Sequence, residues 1–179
     1  LPKVINKEFN IEGNPIDKFI SLVSKIKPDQ VTLVPDSIDA VTSNAGWDTI
    51  KNKNFLKEVI SEFKKNGIRT SIFVDPELKF IEGAKETGTD RIELYTESYA
   101  TNFEKGNLGE INKYIKASSL ANKLGMKTNA GHDLNLQNIN YFVSKLPFLD
   151  EVSIGHAIVC ESLYLGIENV INLYLQKIK

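Results

Sequence analysis

The sequence predicts an α/β fold built on a parallel sheet, and three observations point to it. Short β-rich runs alternate six times with helical stretches along the 179 residues, and such alternation implies parallel strands joined by helical crossovers. The runs are apolar but only four or five residues long, as befits strands covered on both faces. Polar residues able to do chemistry gather at or just beyond the carboxyl ends of those runs.

Taken in order, the strands are expected at "FNIE" (9–12), "VTLV" (31–34), "TSIFV" (70–74), "RIELY" (91–95), "MKTNA" (126–130) and "EVSIG" (151–155). All but "MKTNA" have β-branched or aromatic residues at two or more positions. Helical apolar spacing follows in between, for example Phe55, Val59, Ile60 and Phe63. Several helices close on glycine before the next strand, at "KKNG", "KETG" and "NKLG". A last helix is expected over about 159–178. Nothing reads as a linker or low-complexity segment, so residues 1–179 are expected to form one domain.

Composition narrows the class. With 41% hydrophobic and 25% charged residues the chain has material for a sizeable core. A formal net charge of −1 supplies no global field for nucleic acid or an anionic membrane. The apolar runs fall far short of the roughly 18 residues a membrane helix requires, and no signal peptide is evident. The single cysteine, Cys160, has no partner for a disulfide or a cysteine-based zinc site, which suits a reducing cytoplasm. It is expected to sit in the core as a small apolar residue.

Two architectures fit alternating β and α elements: an open doubly wound sheet and a closed TIM (β/α)8 barrel. Glu12, Asp75, Glu93, Asn129, His132, Gly155 and His156 lie at the ends of five different strands. A barrel draws its site from several strand ends on one face, whereas an open sheet gathers its ligand at one switch point. No G-x-G-x-x-G follows any strand. The barrel is therefore the expectation. A complete one takes eight units and typically about 250 residues, so the first two β/α units are expected to be missing ahead of Leu1.

Counting back from the C-terminus makes "EVSIG" strand eight and "MKTNA" strand seven. Gly155 and His156 then open a helix whose unsatisfied N–H groups suit a phosphate. A plain strand-to-helix turn is equally open. In "TNAGHDLN" His132 follows a tight Ala-Gly exit and can exchange protons near neutral pH, or it can be a loop histidine held by hydrogen bonds. Alternation turns Glu93 away from Ile92 and Leu94, toward a barrel mouth where a desolvated carboxylate has a raised pKa and can act as base or acid at pH 7. The alternative is an ion pair with Arg91, a lysine or a neighbouring loop. Glu12 occupies a comparable strand end. Asp75, before Pro76, reads as a helix N-cap. Thr42, Ser43 and Asn44 lie in the longest strand-to-helix connection, a hydroxyl-rich loop able to close over a polar ligand or to be a turn above Trp47.

The stretches "FNIE", "IKPDQVTLVPD", "VTSNAGWD", "SIFVDP", "GTDRIELYTESYA", "LGMKTNAGHDLN" and "EVSIGHAIV", in that order and spacing, resemble the pyridoxine 5'-phosphate synthase family of vitamin B6 biosynthesis. The resemblance implies a (β/α)8 barrel assembled into a homo-oligomer, an octamer in the family. It implies a transferase or synthase condensing 3-amino-2-oxopropyl phosphate with 1-deoxy-D-xylulose 5-phosphate to give pyridoxine 5'-phosphate, with no metal or organic cofactor. By resemblance Glu12 is a proton acceptor, His132 the proton donor and Glu93 the transition-state stabiliser. Thr42, Gly155 and His156 match substrate-binding positions, and Asp133 stands where the family usually has a substrate-site glycine. Tyr95 and Glu97 replace a common His and Gly. The family's Asn-x-Asp-His and His-x-x-Arg motifs, with a further catalytic histidine and phosphate-binding arginines, are absent from these residues. A barrel lacking that quarter of its wall is not expected to turn over. Two rival readings are another phosphate-binding aldolase or isomerase barrel and a metal-dependent hydrolase using His132, His156, Glu93 and Asp75. A third is a non-catalytic phosphate-binding barrel.

Overall fold

The computed structural model describes residues 4–36 and 43–179. Its six strands are β1 (Asn10–Gly13), β2 (Gln30–Leu33), β3 (Arg69–Val74), β4 (Arg91–Tyr95), β5 (Lys127–Gly131) and β6 (Leu149–Ser153). They form one sheet in the order β1-β2-β3-β4-β5-β6, every pair parallel. Each predicted strand is present, displaced by two residues or fewer.

Strand order explains the shape. Parallel crossovers are right-handed, so strands laid down in one continuous direction put every helix on the same side. A sheet covered on one side only must protect its other face by curling, and the six strands form a curled half-barrel. A doubly wound sheet reverses direction, and this one does not.

The helices are α1 (Asp17–Ile26), α2 (Lys53–Lys65), α3 (Leu78–Thr87), α4 (Glu97–Glu104), α5 (Ile111–Lys123), α6 (Ile139–Lys145), α7 (His156–Leu165) and α8 (Ile167–Lys177). Alternate strand residues Val31, Leu33, Ile72, Val74, Ile92, Leu94 and Ala130 pack against buried helix residues such as Ile60, Phe63, Ile81, Ala117 and Phe142. That layer between sheet and helices is the main core. The other strand residues point to the concave side, where Arg91 pairs with Glu151 at 2.9 Å and donates to Asn129 at 3.0 Å. Asn129 in turn donates to Glu151 at 2.9 Å. Arg91 is thus engaged by Glu151, and its neighbour Glu93 is left for other work.

Several sequence expectations need correction. The buried stripe of α2 is Leu56, Val59, Ile60 and Phe63, while Phe55 lies exposed with its ring 6.1 Å from Trp47. The C-terminal helix is two helices, broken at Gly166, whose φ of 80° and ψ of 140° interrupt the helical path. Cys160 is exposed on α7 rather than buried, because α7 buries none of its residues. Asp75 does not cap α3; Glu77 stands at the N-cap and makes no side-chain cap bond. Asp75 instead accepts the Gly46 N–H at 3.1 Å, a partner 29 residues upstream.

Candidate functional site

At the carboxyl ends of the strands the concave face opens into a cavity of about 970 Å³. Glu12, Glu93, His132, Asp133, Gly155 and His156 all line it. Asp75 and Asn129 are not in its wall; they hold the loop at Gly46 and the Arg91 network. Thr42 falls outside the described residues. Ser43, next to it, does line the cavity.

Glu93 is central. Its register partners on β3 and β5 are Phe73 and Asn129, and it is 1% exposed. Burial is the main reason its carboxyl is pushed up to about 8, with the charges of Glu12 and Glu151 adding and a Ser153 hydrogen bond opposing. At neutral pH Glu93 is therefore a protonated acid that can donate a hydrogen bond. Its Oε2 has no partner among the described residues. A buried polar atom without a partner costs about 1–3 kcal/mol, so it is poised for whatever enters the cavity. Glu12, on β1, is raised in the same direction by burial and by the neighbouring Asp36 carboxylate.

His132 leaves β5 in the left-handed region with φ 82°, followed by Asp133 at φ 56°. For residues with a Cβ each such conformation costs about 1–2 kcal/mol. The imidazole lies 5.4 Å from the Phe73 ring and 5.2 Å, edge-on, from Tyr95, measured between centroids. Burial lowers its pKa and the nearby His156 lowers it further, while Asp133 and Asp36 pull it back up. The group is mostly neutral at pH 7, and its protonated form is a stronger acid than a free imidazolium.

Gly155 is the N-cap of α7 and makes no side-chain cap bond, so the first turn of a ten-residue helix lines the cavity with its N–H groups uncapped by a side chain. No acidic residue occupies the first turn, so the helix end keeps its affinity for an anion. This matters because no lysine or arginine is in the described lining, which carries Asp36, Glu97 and Glu104 besides the acids already named. Among the described residues no group of three or more His, Cys, Asp or Glu is arranged to hold a metal ion.

Sequence reasoning missed Asp36 and the bonds that tie Ser43 and Tyr95 into the site. Asp36 accepts a hydrogen bond from the Ser43 hydroxyl and its carbonyl accepts Asn14 Nδ2 at 2.6 Å. Tyr95 donates its hydroxyl to the Ser43 carbonyl at 3.1 Å, tying the loop after β2 to the ring beside His132. Ser43 belongs to the hydroxyl-rich loop read from the sequence, whereas for Asp36 the signal was the Pro-Asp pair ending "VTLVPD", which favours a turn.

Comparison with known proteins agrees with the fold and specifies the family. A citrate synthase, SbnG, superposes over 96% of this chain and 73% of its own with a TM-score of 0.57 at 14% identity. D-psicose 3-epimerase covers 83% and 63% with a TM-score of 0.55 at 12% identity. At such identities these likenesses speak for the fold alone. The pyridoxine 5'-phosphate synthase of Flavobacterium johnsoniae is 63% identical over all 179 residues, which span 76% of that protein. That of Christiangramia forsetii is 62% identical over the same share. The synthase of Porphyromonas gingivalis is 53% identical over 97% of this chain and 73% of its own. The family model for pyridoxal phosphate biosynthesis protein PdxJ matches residues 1–179, and the chain belongs to that family, the pyridoxine 5'-phosphate synthases of vitamin B6 biosynthesis.

Proposed function

We propose that the cavity condenses 3-amino-2-oxopropyl phosphate with 1-deoxy-D-xylulose 5-phosphate, releasing pyridoxine 5'-phosphate, one inorganic phosphate and two molecules of water. The observation that carries this reading is the meeting of Glu12, Glu93 and His132, from three separate strands, around one cavity that also holds the open end of α7. The substrate amine attacks the ketone of the deoxyxylulose and loses water to give an imine. Proton removals and donations then expel phosphate and water before the ring closes. Each needs an acid or base within hydrogen-bond reach.

Glu12, raised by burial, serves as base. His132 donates to departing oxygens, its lowered pKa making the imidazolium a willing acid. Neutral Glu93 hydrogen-bonds to oxygen as negative charge develops. Gly155 and His156 receive a substrate phosphate at the start of α7, and Asp133 contributes its backbone N–H. Thr42 is assigned to substrate binding on family grounds. The curled sheet with its helices on one side supports a (β/α)8 barrel architecture of one domain. Exposed apolar side chains along α7 and α8, including Leu163 at 81% and Tyr164 at 89%, support a homo-oligomer.

The test is turnover of the two substrates by the full-length enzyme and its His132→Asn variant, followed as pyridoxine 5'-phosphate formed. A loss of about a hundredfold or more in kcat is expected for removal of a proton donor. Unchanged turnover sinks the assignment.

A further inference from the structure

The turn that presents His132 is held from outside its own loop. Thr96 follows β4, directly after Tyr95, the register partner of Gly131. Its N–H donates to the Gly131 carbonyl at 2.9 Å. Its hydroxyl is within hydrogen-bonding distance of that same carbonyl at 2.5 Å and of the His132 carbonyl. One hydroxyl proton thus serves two successive main-chain carbonyls at the point where the backbone turns left-handed.

The position of Thr96 makes this arrangement informative. It is the N-cap of α4, where a threonine hydroxyl ordinarily accepts an N–H of the first helical turn. Here it makes no side-chain cap bond. The helix forgoes its cap, and the hydroxyl is turned toward β5 instead, with the residue fully buried.

The far side of the turn is anchored too. Asn138 Nδ2 donates to the Asp133 carbonyl at 3.0 Å, and its Oδ1 accepts the Asn135 N–H at 2.9 Å. The Asn138 carbonyl accepts the Tyr99 hydroxyl at 2.7 Å. Thr96 and Tyr99 both belong to the start of α4, so one helix end grips both sides of the turn. His132 and Asp133 are the only consecutive non-glycine pair with positive φ among the described residues, and over-determination of this kind is what lets a strained conformation persist.

We propose that Thr96 is a positioning residue for the reaction: its buried hydroxyl, donated to the carbonyls at Gly131 and His132, holds the left-handed turn that aims the His132 imidazole into the cavity. This rests on the reading of His132 given above. Tyr95 and Phe73 fix the ring from the side, whereas Thr96 fixes the backbone from which it projects.

Thr96→Val removes the donor at nearly constant volume, and Thr96→Ser keeps it. In the full-length enzyme Thr96→Val should lower kcat about tenfold or more, since small misplacements of a catalytic group are costly, while KM for both substrates stays within about threefold. Thr96→Ser should recover kcat to within about threefold. Two readouts do not need turnover: the Cα chemical shifts of His132 and Asp133, and the titration of His132, which faces Asp133, Asp36, His156, Phe73 and Tyr95. Both should move in Thr96→Val and stay put in Thr96→Ser.

Unchanged shifts and titration in a folded Thr96→Val overturn the proposal whatever the activity, as does a Thr96→Ser variant as impaired as Thr96→Val. Should Thr96→Val not fold, Thr96→Ser decides alone: wild-type kcat and His132 titration support the proposal, and a tenfold loss overturns it. Absence of synthase activity in the unmodified enzyme, by contrast, defeats the functional reading and leaves the two spectroscopic readouts to judge Thr96.

Discussion

A Cβ built on Gly131 falls 2.4 Å from Oε1 of Glu93 and 3.1 Å from the Cβ of Ser153. Gly131 and Glu93 sit on adjacent strands of the concave face, and the missing side chain is the space the Glu93 carboxyl occupies. The glycine is there for room; its φ is not among the positive values. Gly131→Ala should therefore push Glu93 off its position, at about 1–3 kcal/mol of stability for overpacking and with a fall in kcat larger than any rise in KM. Thermal unfolding and steady-state kinetics check it; an alanine variant with wild-type kcat would show that Glu93 needs no such placement.

Glu93 also makes a prediction about pH. The folded carboxyl holds its proton up to about 8, against 4.5 as the ordinary value. Between these limits the folded state binds a proton that the unfolded chain has lost, so stability falls as pH rises. The contribution is whole below about 4.5 and is lost as pH climbs through about 8, with a slope of at most about 1.4 kcal/mol per pH unit. His132, whose pKa is lowered, acts with the opposite sign but only below its ordinary value of 6.5. Chemical denaturation from pH 6.5 to 8 should show the wild type losing stability more steeply than Glu93→Gln. Parallel curves would mean that Glu93 is ionised throughout.

The loop after β2 is pinned by contact with backbone. A Cβ on Gly46 would lie 2.4 Å from both the Val74 Cα and the Asp75 nitrogen, atoms that cannot rotate aside. The same stretch is fastened by Trp47 N–H to the Phe73 carbonyl at 2.8 Å and by Trp47 Nε1 to the Leu33 carbonyl at 3.1 Å. Gly46→Ala should cost about 2–4 kcal/mol, more than Gly131→Ala, because the strand end itself must give way. Asp75→Asn, which keeps an acceptor for the Gly46 N–H, should cost less than about 1 kcal/mol. Comparison of the two unfolding midpoints checks the order.

How much of this was legible beforehand follows from the range of each interaction. Strand positions and the inward face of Glu93 are local, set by a period of two, and they could be read from "RIELY". The convergence of Glu12, Glu93 and His132 followed from strand ends sharing one side of a parallel sheet. Asp75 was misread because an Asp-Pro pair looks like a cap, and its true partner, Gly46, is brought to it only by the fold. The left-handed backbone at His132 and Asp133 carries only a weak local signal, since histidine and aspartate are enriched at positive φ yet adopt it in a minority of cases; the bonds from Thr96 and Asn138 that hold it come from elsewhere in the chain. Phe55 and Leu56 are neighbours a hundred degrees apart on a helix, and apolar character alone could not say which faces inward. Cys160 was misplaced for the converse reason, its helix being apolar on faces that the described residues leave open.

That open face yields the last prediction. α7 is strongly apolar yet buries none of its residues, and with α8 it exposes Val159, Leu163, Tyr164, Ile167, Ile171 and Leu175. A large contiguous exposed apolar patch is uncommon on a monomer and marks contact with another surface, and six exposed apolar side chains on two successive helices are candidates for one. If it supports the proposed homo-oligomer, Leu163→Glu places a charge in the contact and should shift the sedimentation profile of the full-length enzyme toward smaller species. Leu163 is 81% exposed among the described residues; if the contact is with another subunit, the same substitution should leave the intrinsic stability of its own subunit within about 0.5 kcal/mol. The two measurements separate the cases: a changed assembly with an unchanged subunit supports the contact, an unchanged assembly removes α7 from it, and a destabilised subunit shows that Leu163 packs within its own chain.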